Sequence, residues 1–177
     1  MATEKRINWG FQIWLFVAVI LTFALHEAGH WAVGELLGHE AYYGLNSAGV
    51  RGAVPDDHRL LITAGGPAVT ALQALVALAL VLARESLAAY AVLYAAAFMR
   101  FMAAVITIMN PNDEARLSLA FGLGTWTLPV VTVLVLVGLV WIGARRLGVS
   151  GKTNIVAYVV ATLAVSGVVG ADMLLKA

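Results

Sequence analysis

Two histidines and a glutamate form an H-E-x-x-H pattern at residues 26–30. In an α-helix, residues i and i+4 lie on the same face, so the imidazoles of His26 and His30 can both reach one zinc ion at ~2.0–2.1 Å. Glu27 is rotated by about 100° from His26, which places it beside that ion rather than facing it. The pattern therefore predicts a zinc site with Glu27 as the general base for a water that zinc activates.

The setting of this pattern is apolar. Ionisable side chains are rare within a membrane span unless they have a function. His26 lies about 25 Å along a helix that starts at Trp9, which is still within a hydrocarbon layer of ~30 Å. The alternative is that His26 and His30 are interfacial polar residues and that Glu27 pairs with Arg100 or Arg59.

Composition supports a membrane setting. Of the 177 residues, 62% are hydrophobic and 12% are charged, and the mean hydropathy is +0.89. A soluble domain carries about 25% charged residues. The net charge of +1 and the lack of a basic run argue against nucleic acid as a partner, and the absence of cysteine excludes disulfides and thiolate ligands.

Five apolar runs approach the ~20 residues needed to cross a bilayer. They cover residues 9–37, 60–83, 87–109, 127–142 and 154–175. The first follows Lys5 and Arg6 but exceeds signal-peptide length, so we interpret it as a retained helix. The sequence thus predicts an all-α, polytopic helical bundle forming a single membrane domain over residues 1–177. We expect a multi-pass protein of the cell membrane, in contact with the lipid bilayer and of undetermined oligomeric state.

A zinc ion that keeps one position open needs a third protein ligand. The first and third predicted helices run in the same direction, so the end of the third lies level with His26 and His30. Asp113 stands there and is the favoured ligand, with Glu114 as its substitute. The alternative makes Asp113 the N-cap of a segment that starts at Glu114. Lower-ranked candidates at the same membrane face are His58, Asp56 and His39.

Other polar and glycine-rich positions have two interpretations each. Arg100, inside the third span, either pairs structurally with an acid or stabilises an oxyanion on a scissile carbonyl. Residues 65–67, Gly-Gly-Pro, allow close helix approach, although a turn at a helix start is the favoured role. Residues 38–59 form a polar, glycine-rich loop whose segment 41–52 can offer a strand edge to an extended peptide, although loop flexibility alone explains its glycines equally well.

These motifs together resemble the site-2 protease family of intramembrane zinc metalloproteases. The similar elements are His-Glu-Ala-Gly-His on the first core helix, a glycine-rich loop, Ala-Gly-Gly-Pro at residues 64–67, and Asn110-Pro111 followed by an acidic pair. They span residues 14–117. Two positions depart from the family pattern: Asn112 and Glu114 flank Asp113 where Leu-Asp-Gly is usual, and Thr70 stands where an asparagine is usual.

The resemblance implies a zinc metalloprotease-like core over residues 9–117, with two additional helices over 127–175 and a substrate-engaging hairpin in the loop at 38–59. It also implies that His26, His30 and Asp113 bind zinc and that Glu27 activates water to cleave a peptide bond in or near the transmembrane segment of a protein substrate. Two alternatives remain: a non-catalytic metal-binding or substrate-holding protein of the same fold, and a zinc hydrolase acting on a lipid or small membrane substrate.

Overall fold

A computed structural model describes residues 7–176 of the chain. Within them it contains six helices and one short antiparallel hairpin, in the order α1 (Trp9–Leu36), β1 (Ala41–Tyr43), β2 (Ala48–Val50), α2 (Asp56–Arg84), α3 (Leu87–Ile106), α4 (Asp113–Ala120), α5 (Thr127–Leu147) and α6 (Gly151–Lys176). All except α4 are long and apolar enough to cross a membrane. The chain is therefore an all-α, multi-pass membrane bundle, as predicted. Lys5 and Arg6 lie outside the described residues.

The bundle is organised around α3, the most buried of the five spans. Helices α1 and α2 pack against each other and against α3, whereas α5 packs mainly on α3 and α6 on α1. Aromatic contacts join α1 to α3, with the rings of Phe11 and Tyr90 centred 5.3 Å apart. Helices α1, α2 and α3 thus pack against one another, and the H-E-x-x-H pattern lies on α1.

Several helix ends differ from the predicted ones. Helix α2 starts at Asp56 rather than residue 60, because two aspartates in the first turn interact favourably with the helix dipole. Helix α3 ends at Ile106 rather than 109, ahead of Pro111, which disfavours helical geometry in the preceding residue. Helix α5 continues to Leu147, where Gly148 adopts a φ of +61° and terminates it.

The predicted loop after the first helix contains a β-hairpin. Strands β1 and β2 pair in antiparallel register, with Tyr42 opposite Gly49. The hairpin folds back over the end of α1, where the Tyr43 hydroxyl donates to the backbone oxygen of Ala24 (2.9 Å). The Lys176 ammonium of α6 donates to the Ser47 hydroxyl at the hairpin turn (2.7 Å). These contacts hold the hairpin against α1 and α6.

Candidate metal centre

The structure brings His26, His30 and Asp113 together. The Nε2 atom of His26 lies 3.1 Å from that of His30 and 3.1 Å from Oδ2 of Asp113. The third side of this triangle, from His30 Nε2 to Asp113 Oδ2, measures 3.5 Å. Tetrahedral bonds of ~2.0–2.1 Å to zinc require ligand atoms about 3.3–3.4 Å apart. The three donor atoms are therefore spaced as ligands of one tetrahedral ion would be.

The protonation of both imidazoles is set by their other ring nitrogens. His30 Nδ1 lies 2.7 Å from the carbonyl oxygen of Ile62, which can only accept, so this nitrogen carries a proton. The Thr70 hydroxyl donates to the Gly66 carbonyl (3.1 Å) and therefore accepts from His26 Nδ1 (2.9 Å). In neutral rings, this leaves both Nε2 atoms with lone pairs directed at each other and at a carboxylate, an arrangement that a proton or a metal ion between them would stabilise.

Three glycines make room for this arrangement. Helices α1 and α2 cross with their backbones in contact, since a Cβ on Gly29 would lie 2.5 Å from the Gly65 carbonyl oxygen, and the converse also holds. A Cβ on Gly66 would lie 2.5 Å from His26 Cε1 and would also collide with His30 Nε2. The Gly-Gly pair lies well inside α2, so its predicted role in a helix-start turn is wrong. Its other predicted role, close helix approach, is what the structure shows.

Asp113 is positioned by the first turn of α4. The N-cap of α4 is Asn112, whose side chain accepts from the Asp113 backbone nitrogen (2.7 Å), so the alternative that made Asp113 the cap is wrong. Burial favours the neutral carboxyl, but hydrogen bonds and positive charge from the two histidines hold the pKa of Asp113 well below its usual range. Asp113 is therefore an anion at neutral pH, whether a proton or a metal ion supplies the positive charge.

Arg100 approaches the same cluster from α3. Its guanidinium NH1 donates to both carboxylate oxygens of Glu114 (3.1 and 3.3 Å), which confirms that Arg100 pairs with an acid. The partner is Glu114, so the alternative that paired Glu27 with Arg100 is wrong. The other proposed partner of Glu27, Arg59, lies at an exposed position 3.6 Å from Asp56. The Arg100–Glu114 pair also places Glu114 away from the ligand triangle.

Three acidic side chains and one arginine lie at the cluster. Glu27 and Glu114 are buried and Asp113 is nearly so, and Arg100 forms ion pairs with Asp113 and Glu114. Negative charge beyond that of one arginine has to be balanced by protons on the histidines or by a metal ion. Since uncompensated buried charge is costly, one divalent ion at the histidines would balance the site.

A cavity of about 800 Å³ opens onto the cluster. Its walls include His26, Glu27, His30, Arg100 and Asp113, together with β2 residues 48–50 and α6 residues Val165 and Val169. This volume lies in the range of sites that bind small molecules or peptide segments. Glu27 thus faces the same space as the metal-ligand candidates.

The lower-ranked ligand candidates lie elsewhere. His39 and His58 contact each other, with Nε2 of the first 2.9 Å from Nδ1 of the second, and Asp56 is solvent-exposed. Within residues 7–176, only His26, His30 and Asp113 form a group of three or more side chains that could hold a metal ion.

The groups that orient the histidines were not predicted from the sequence. Thr70 was noted only as a departure from a family pattern, and the Ile62 carbonyl and Gly66 had no assigned role toward the imidazoles. One signal was available: Thr70 is a polar residue one helical turn after Gly66, on the face that also carries the glycines.

Comparisons of the chain with protein-family models, with curated proteins and with solved structures give no match.

Proposed function

We propose that this chain is a zinc-dependent intramembrane endopeptidase. The observation that carries the proposal is the triangle of His26 Nε2, His30 Nε2 and Asp113 Oδ2, whose lone pairs converge at tetrahedral spacing beside Glu27. Two imidazoles and one carboxylate are a ligand set that suits catalytic zinc and leaves one coordination position open. The motifs that resemble site-2 proteases support the same function.

A bound zinc ion would supply Lewis-acid chemistry, polarising a carbonyl group and making water more acidic. Glu27 faces the cavity and takes the proton of the attacking water, and it then delivers that proton to the leaving amine. Arg100 lies at the same cavity, where its positive charge stabilises the negative charge that develops on the carbonyl oxygen. A binding protein without turnover would need no base at the position of Glu27.

The proposed substrate is the transmembrane segment of a membrane protein. In a helix, every peptide bond is shielded by hydrogen bonding, so the segment has to be extended before water can attack it. Strand β2 lines the cavity, and in the two-stranded sheet only one of its edges is paired. An extended peptide can therefore pair with its other edge beside Glu27.

The experiment is cleavage of a synthetic transmembrane peptide by the purified, zinc-loaded chain in lipid vesicles, compared with its Glu27→Gln variant. Product peptides should form with the wild type and fall by at least about 10²-fold in the variant, which keeps its zinc. Equal hydrolysis by both proteins would show that Glu27 is not the base. Zinc binding without peptide cleavage would favour the non-catalytic role, and release of lipid fragments instead of peptides would favour a lipid hydrolase.

A further inference from the structure

Arg100 lies between two consecutive acids on α4. Its NH1 atom is 3.1 Å from Glu114 Oε1 and 3.6 Å from Asp113 Oδ2, the oxygen that also faces the histidines. Its NH2 atom lies 3.5 Å from His26 Nε2. One guanidinium therefore contacts a carboxylate outside the ligand triangle and also approaches two of the three donor atoms within it.

Asp113 and Glu114 compete for the guanidinium of Arg100, and burial makes this competition strong. Arg100 is 5% exposed and Glu114 is 6% exposed, so loss of a partner leaves a largely buried charge on the other. Arginine forms its strongest hydrogen bonds with carboxylates, preferably through two donors at once. If Glu114 were uncharged, the nearest anion would be Asp113, and Arg100 would shift toward the oxygen that the zinc ion requires.

We infer that Glu114 is a positioning residue that holds Arg100 and so keeps Asp113 available as a metal ligand. This inference rests on the proposed zinc site and deepens it. Glu114 acts through Arg100 and has no contact with the metal. The positive charge of Arg100 stays close to the site, with Asp113 as the more distant of its two carboxylate partners.

The test measures zinc affinity of the full chain in detergent, by competition with a chelator, for the wild type, Glu114→Gln, Arg100→Gln and the double variant. Glu114→Gln should weaken zinc binding by about 10–100-fold, the usual effect of losing a group that orients a ligand. Adding Arg100→Gln should restore most of that loss, because the competitor for Asp113 is gone. A residue needed only to hold α4 in place would show no such rescue.

Each result bears on the inference. Unchanged zinc affinity in Glu114→Gln overturns it, as does a double variant that binds as weakly as Glu114→Gln. If Glu114→Gln does not fold, the comparison is made in the Arg100→Gln background, where removing Glu114 should leave zinc affinity unchanged; a further loss there overturns the inference. A wild type that binds no zinc overturns the metal site itself, whereas a failure confined to these variants overturns only the positioning role.

Discussion

The Nε2 atoms of His26 and His30 lie 3.1 Å apart, although the Nδ1 atom of each ring is hydrogen-bonded to a group on α2. The helix spacing of four residues brings the rings together, and the hydrogen bonds to Thr70 and Ile62 fix which nitrogens face each other. The arrangement is therefore built by two helices and becomes favourable when a cation lies between the rings.

Zinc is expected to stabilise the fold, because it binds the three donor groups together only when the folded chain has brought them into one site. At a free zinc concentration 100 times Kd, binding to the folded state alone would add about 2.7 kcal/mol to the free energy of unfolding. Thermal unfolding in detergent, followed with zinc or with a strong chelator, measures this effect. An unfolding midpoint that does not change with zinc would mean that protons alone, without a metal ion, stabilise the three side chains of the cluster.

The Thr70 hydroxyl should affect zinc affinity through His26. Thr70→Val keeps the shape of the side chain but removes the acceptor for His26 Nδ1, so zinc affinity should fall by about 10–100-fold. Thr70→Ser keeps the hydroxyl and is the matched control, with affinity close to that of the wild type. Equal zinc binding by the valine and serine variants would show that the hydrogen bond does not orient the ring.

Two glycine substitutions should have different consequences. In Gly66→Ala the new methyl group meets the two imidazoles, so we expect lost zinc binding in a bundle that still folds. In Gly29→Ala it meets the backbone of α2, which cannot move without separating the helices, so we expect a clear loss of thermal stability.

The control for both glycine variants is Gly138→Ala on α5, where a Cβ meets no atom within 4 Å. Zinc content and the unfolding midpoint, measured side by side, separate the outcomes. If Gly66→Ala retained full zinc content, the assigned contact between α2 and the imidazoles would be wrong.

Much of the fold could be predicted from the sequence because the determining features are local. Apolar runs near the length of a bilayer crossing indicate the five long helices, and the four-residue spacing of His26 and His30 indicates a shared face. The proximity of Asp113 was predicted from helix direction alone, since the first and third spans run the same way.

The remaining features depend on how helices rotate against each other. The polar start of α2 at Asp56 was assigned to the loop, which made Gly65 and Gly66 look like a helix start rather than a crossing point. The choice of Glu114 as the partner of Arg100, and of Asp113 as the residue facing the histidines, depends on side-chain direction in the first turn of α4. Sequence spacing does not specify that direction.

The most direct test of the account is the zinc content per chain, measured by elemental mass spectrometry on protein purified without chelators. We expect close to one zinc per chain in the wild type and in the control His39→Ala, and loss of zinc in His26→Ala, His30→Ala and Asp113→Ala. A wild type without zinc, or full retention of zinc in all three variants, would contradict the proposed metal centre.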